Sequence, residues 1–109
     1  MEILSNNRNC PPEVVCFHCQ QFVEKLLKAL LTLNNTEAPK THDLRRLIEL
    51  AKAFVPELIP LSEMSDKLTF HGVETRYPGD SYPVSRTDMD EIIAISEEFG
   101  DILLKKLSL

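Results

Sequence analysis

Tryptophan is absent and only three glycines occur among the 109 residues. That shortage excludes an architecture built on many tight turns, because glycine supplies the positive φ such turns demand. There is no surplus of positive charge either. The formal net charge is −5, which disfavours the generic grip on a long nucleic acid that needs a basic face, though a local basic site is compatible with it. No apolar run approaches the ~20 residues of a membrane-spanning helix. Met1–Asn9 are polar after Ile3 and Leu4 and do not read as a signal peptide. Three cysteines, an odd count clustered at Cys10, Cys16 and Cys19, speak against a disulfide framework and for a reducing compartment. A soluble cytoplasmic protein without a membrane partner is the expectation.

What is present is ordinary globular composition, 43% hydrophobic and 27% charged. A chain of this size buries roughly 60–70% of its unfolded surface and can sustain one core without disulfides or metal. Residues 1–10 carry no period and are expected to form a disordered leader, followed by a single domain over 11–109. Pro11-Pro12-Glu13 is a helix start, with proline suited to the first position and a carboxylate near the positive end of the dipole. From there Val15, Cys19, Phe22, Val23, Leu26, Leu27, Leu30 and Leu33 recur at i, i+3, i+4, the mark of an amphipathic helix. His18, Gln21, Glu24, Lys25 and Lys28 fill the opposite face, and Asn34-Asn35 ends the helix.

Thr41 is read as the cap of a second helix, with Asp43 in its first turn and Leu44, Leu47, Ile48, Ala51 and Phe54/Val55 as its stripe. Arg45 and Glu49 stand at exposed i, i+4 spacing, and Pro56 stops or redirects the chain. A third helix, from about Leu58 or Leu61 to Phe70, has Leu61, Met64 and Leu68 as its stripe. Thr87 is read as the cap of the last helix, with Asp88 and Asp90 in the first turn. Met89, Ile92, Ile93, Phe99, Ile102/Leu103 and Leu107 form its apolar face, and Lys105-Lys106 suit its negative end. Alternating β-type segments are essentially missing. The fold class is therefore all-α, an antiparallel up-and-down bundle of about four helices.

Between the last two helices, Gly72–Arg86 has no helical period, and long loops of this kind are often functional. Both tyrosines, Tyr77 and Tyr82, lie here beside Arg76, Asp80 and Glu74. Tyr77-Pro78-Gly79-Asp80 fits a type II turn that would hold Arg76 near Asp80. One reading is a binding lip, with arginine for phosphate or carboxylate and tyrosine for stacking. The other is a crossover packed on the bundle, its rings as cover and Arg76 paired to an acid.

The run Cys16-Phe17-His18-Cys19-Gln20-Gln21-Phe22-Val23-Glu24-Lys25-Leu26-Leu27-Lys28-Ala29-Leu30-Leu31 resembles the signature helix of HEPN domains. Thr41-His42-Asp43-Leu44, then Thr75-Arg76-Tyr77-Pro78-Gly79-Asp80 with Tyr82-Pro83, resemble the next two landmarks in order. The resemblance extends from about Val15 to the C-terminus. It implies a helical bundle that often pairs as a homodimer, and a role beside nucleotides. Many members accompany a minimal nucleotidyltransferase in toxin–antitoxin-like pairs, where the HEPN partner is often a ribonuclease; others are credited with nucleotide binding only.

Two departures from the family pattern stand out. A full helix usually precedes the signature segment, and here about ten mostly polar residues stand in its place, so that helix is expected to be short or missing. Part of the first helix's apolar face would then need cover from self-association or a partner helix. Ribonuclease members also carry an arginine followed, after four to six residues, by a histidine. After Arg76 those positions hold Ser81, Tyr82 and Pro83; after Arg45 they hold Leu50, Ala51 and Lys52. The family's catalytic pair is missing.

Cys16 and Cys19 make a CxxC, but a structural zinc site needs a second pair, so buried inert thiols are the reading and no metal site is assigned. His18, His42 and His71 are titratable near neutral pH, yet the sequence alone brings none beside a nucleophile. His42, next to the helix start, is within reach of a nearby carboxylate such as Asp43. Asp88, Asp90 and Glu91 are most simply helix N-terminal charge. The sequence thus leads to a HEPN-like binding module rather than an enzyme. Arg76, Tyr77, Asp80 and Tyr82 are its candidate site, with His42 and Asp43 as the neighbouring helix start, a nucleotide with Mg²⁺ as its ligand class, and self-association through the first helix. The alternatives are a ribonuclease that pairs Arg76 with His18, His42 or His71, and a purely structural dimerisation module.

Overall fold

The computed structural model describes residues 11–71 and 85–107. Residues 1–10, where the leader and the shortened family helix are expected, lie outside the described residues. Four α-helices are present among those described: α1 (Pro12–Leu33), α2 (Leu44–Ala51), α3 (Ser62–Thr69) and α4 (Arg86–Leu107), with a 3₁₀ segment over Pro56–Leu61 between α2 and α3. The all-α bundle expected from the periodicity is what forms.

The ends of α1 follow from local chemistry. Proline occupies its first turn with Glu13 beside it. At the other end Asn35 takes a left-handed φ of 57°, which asparagine tolerates better than most non-glycine residues. Asn35 N–H then donates to Thr32 O at 3.0 Å and Thr36 N–H to Leu31 O at 2.8 Å. This double bond of the Schellman type satisfies carbonyls that would otherwise be orphaned. At α4 the cap is Ser85 rather than Thr87: Asp88 N–H donates to Ser85 Oγ at 3.0 Å, and Ser85 N–H reaches back to Asp88 Oδ2 at 3.4 Å. The reciprocal capping box places the start of the helix two residues earlier than Thr87 would.

α1 and α4 form the main contact of the core and run in the same direction. Cys19 meets Ser96 and, four residues further along α4, Phe22 meets Gly100. Small side chains on α4 let the two axes approach at that point. α2 and α3 are antiparallel, with Arg45 joined to Asp66 and Leu44 N–H donating to Thr69 Oγ1. α3 and α4 are antiparallel too: Lys67 of α3 pairs with Glu91, and Glu57 of the preceding 3₁₀ segment pairs with Lys106 at 3.2 Å. Parallel α1 and α4 need a connection that carries the chain back along α1, and residues 34–43 provide it.

Most stripe positions are buried, Cys19, Val23, Leu27, Leu47, Ile48, Phe99 and Leu103 completely. The apolar face of α1 is covered within the chain: of its large apolar residues only Val14 and Leu33 are exposed. Among the described residues α4 supplies most of that cover. Three smaller expectations change. Arg45 pairs with Asp66 rather than Glu49, which Lys52 holds instead at 2.9 Å. Met64 and Phe54 face solvent, and Ser65 takes the inward position beside Leu68. The expected third helix divides because Pro56 and Pro60 favour the tighter 3₁₀ geometry before the α-helix begins at Ser62.

Candidate functional site

The chemistry of the described residues concentrates where the returning segment meets α1. Gln20 is fully buried and Glu24 is 5% exposed, one turn apart on the same helix face. A carboxylate removed from water is costly unless its oxygens are satisfied, and Glu24 is satisfied on both. Its Oε1 lies 2.8 Å from His42 Nδ1 and accepts from Gln20 Nε2 at 3.0 Å. Its Oε2 accepts from Lys28 Nζ at 3.0 Å. Gln20 Nε2 also donates to the backbone oxygen of His42 at 2.8 Å, and Gln21 Nε2 donates to Gln20 Oε1 at 2.8 Å. Burial pushes the Glu24 carboxyl up, but the bonds from His42, Gln20 and Lys28, with the charge of Lys28, outweigh it and leave the group below the ordinary glutamate value.

The consequence for His42 is positional. Its ring is largely solvent-exposed, yet one nitrogen is committed to a buried carboxylate. With Nδ1 donating to Glu24, Nε2 is the nitrogen left for an incoming group. His42 lies just outside the helix, not inside it: Asp43 is the N-cap, its Oδ1 accepting from Arg45 N–H at 3.1 Å. Thr41, expected to be the cap, instead accepts from Asp43 N–H at 3.0 Å. The carboxylate that holds His42 is Glu24, eighteen residues earlier, rather than adjacent Asp43. On the other side of Asp43 is a cleft of about 400 Å³ lined by Asp43, Asp66, Thr69 and Phe70, its two carboxylates already engaged by Arg45 N–H and the Arg45 guanidinium.

His42 and Asp43, two of the six site residues read from sequence, are thus neighbours on a single surface. Arg76, Tyr77, Asp80 and Tyr82 lie outside the described residues. Sequence reasoning missed Gln20 and Glu24, placing Glu24 on the solvent face. The available signal was that Glu24 and His42 fall in two motifs that recur together. Cys16 and Cys19 are buried, as expected of inert thiols; burial first, then the neighbouring Cys19, Glu13 and Asp88, push the Cys16 thiol up to about 12. Cys10 lies outside the described residues. No group of three or more histidine, cysteine or acidic side chains is placed to hold a metal ion among the described residues.

The family model of the HEPN domain matches residues 3–107, nearly the entire chain. The chain belongs to the HEPN domain family. A search of curated proteins and a search of solved structures each gave no match. In this HEPN domain the signature helix and the Thr41-His42-Asp43-Leu44 segment are the two elements that Glu24 and His42 join. No helix among the described residues is long and apolar enough to cross a membrane.

Proposed function

We propose that this HEPN domain is a nucleotide-binding module whose ligand meets the surface at His42 and Asp43. The observation that carries the reading is the 2.8 Å contact between buried Glu24 and exposed His42. A histidine needed only for packing has no reason to expose its ring, and an exposed ring fixed from beneath is ready to meet a ligand. Arg76, Tyr77, Asp80 and Tyr82 complete the proposed site. Arg76 is the fork donor to phosphate and the tyrosines supply stacking, with Mg²⁺ accompanying the nucleotide. A homodimer and a nucleotidyltransferase partner belong to the same proposal; sedimentation and co-purification test them separately.

A thermal-unfolding scan over a panel of nucleotides, with and without Mg²⁺, is the test. Binding to the folded state alone adds about 2.7 kcal/mol at a hundredfold excess over Kd, a shift of well over 5 °C for a domain of this size. Arg76→Ala and His42→Asn should each reduce the shift. In His42→Asn the amide N–H can take the place of Nδ1 toward Glu24, so stability is kept while Nε2 is lost. No shift for any nucleotide at millimolar concentration retires the reading.

The same pair favours a second reading. A carboxylate orienting an imidazole is an acid–base arrangement, so His42 would serve a ribonuclease whose active site departs from the family pattern. RNA cleavage by the wild type that is lost in His42→Ala decides for the enzyme; no cleavage by either decides for binding alone.

A further inference from the structure

Away from the Glu24–His42 cluster, residues 37–40 of the returning segment and the outer face of α2 enclose an open groove of about 580 Å³. Ala38, packed on the core, with Pro39 and Leu50 give it an apolar lining. Leu50 is 39% exposed, and Phe54, four residues on, is 40% exposed, so the apolar surface extends past the end of α2. The charges on the lining are unequal in their engagement. Glu49 is held by Lys52 at 2.9 Å. Lys40 and Arg46 are exposed and have no acidic partner among the described residues, leaving two uncompensated cations against the single uncompensated acid Glu37.

Unpaired cations occur elsewhere too, but here two of them flank an apolar lining. The chain carries a net charge of −5, and elsewhere on α2 and α3 the basic side chains are occupied: Arg45 by Asp66, Lys52 by Glu49, Lys67 by Glu91. Exposed apolar area flanked by unspent cations fits a ligand that brings the opposite charge together with an apolar anchor. The groove has no aromatic lining residue on which a base would stack, which favours a peptide over a nucleotide here.

We propose that this groove docks a segment of a partner protein in which a leucine or phenylalanine is flanked by aspartate or glutamate. The apolar side chain seats on Pro39 and Leu50, and the carboxylates meet Arg46 and Lys40. Arginine offers a two-pronged match to carboxylate, and lysine a point charge. Because both cations are exposed, binding weakens as salt is raised.

The experiment is amide chemical-shift mapping on the full chain with three synthetic dodecapeptides: one with leucine between glutamates, one with the glutamates changed to lysine, and one with the leucine changed to serine. The acidic leucine peptide should shift the amides of Ala38, Lys40, Arg46 and Leu50. The other two should bind at least tenfold more weakly. Lys40→Glu combined with Arg46→Glu, on exposed positions that leave the fold intact, should weaken the acidic peptide at least tenfold and turn preference toward the basic one. Equal binding of acidic and basic peptides, no shifts at millimolar peptide, or shifts confined to another surface overturns the proposal. So does a wild-type dimer in sedimentation that the double variant dissociates, since the occupant would then be a second copy. Shifts of the same amides by ATP in place of the peptide would equally overturn it.

Discussion

Glu24 Oε1 stands 2.8 Å from His42 Nδ1 and ties the segment returning along α1 to the helix it passes. One carboxylate gathers bonds from three points of the same helix, Gln20, Gln21 and Lys28, and from a residue eighteen positions away. It fixes where α2 begins as well as how His42 is presented.

Removing that carboxylate leaves Gln20 and His42 without their shared acceptor. Glu24→Ala is expected to cost about 1–3 kcal/mol, lowering the melting temperature by on the order of 10 °C. Thermal unfolding followed by circular dichroism measures it. An unchanged midpoint would show that the buried contact contributes nothing net.

The pH dependence has a definite sign. The Glu24 carboxyl titrates below its ordinary value of 4.5 in the folded protein. Its contribution is therefore complete above the unfolded value and is lost as pH falls through the folded one. Urea midpoints between pH 6 and pH 3 should drop more steeply for the wild type than for Glu24→Gln. Parallel curves would remove Glu24 from the acid response.

Gly100 of α4 packs against the ring of Phe22 on α1. A Cβ there would meet Phe22 Cε2 at 3.0 Å and Cζ at 3.2 Å. Alanine gains about 1 kcal/mol of helix propensity, but crowding a packed contact typically costs 1–3 kcal/mol. Gly100→Ala should destabilise by about 1 kcal/mol in the wild type and become stabilising in a Phe22→Leu background. Urea denaturation of the four proteins reads the coupling directly; simple additivity would rule out the clash.

Ser85 and Thr87 compete for the same assignment, and the hydrogen bonds favour Ser85. Ser85→Ala should cost about 1 kcal/mol, whereas Thr87→Ala should be nearly neutral. The opposite order in equilibrium unfolding would return the cap to Thr87.

Much of this was legible in order along the chain. The i, i+3, i+4 recurrence from Val15 to Leu33 sufficed for α1, since burial of one face is a local pattern. Asn34-Asn35 marked its end, because asparagine can adopt the left-handed turn found at Asn35. Three ordered motifs were enough to indicate the family, as the match over residues 3–107 shows. Caps were legible only as a choice among neighbours: Thr41 or Asp43, Thr87 or Ser85. A cap is decided by which side chain reaches an amide, not by residue type.

The rest needed three dimensions. Periodicity placed Glu24 on the polar face, and a polar residue at the edge of an apolar stripe reads as solvated until something covers it. The cover is the returning segment, and what makes it tolerable is the bond to His42. Likewise Arg45 had Glu49 at ideal helical spacing and chose Asp66 from another helix, because two aligned carboxylate oxygens match its fork. Sequence alone determined the helices, their apolar faces and the family. Tertiary structure alone decided which polar residue was buried and which nitrogen of His42 faces Glu24, since both depend on contacts between segments that only the fold brings together.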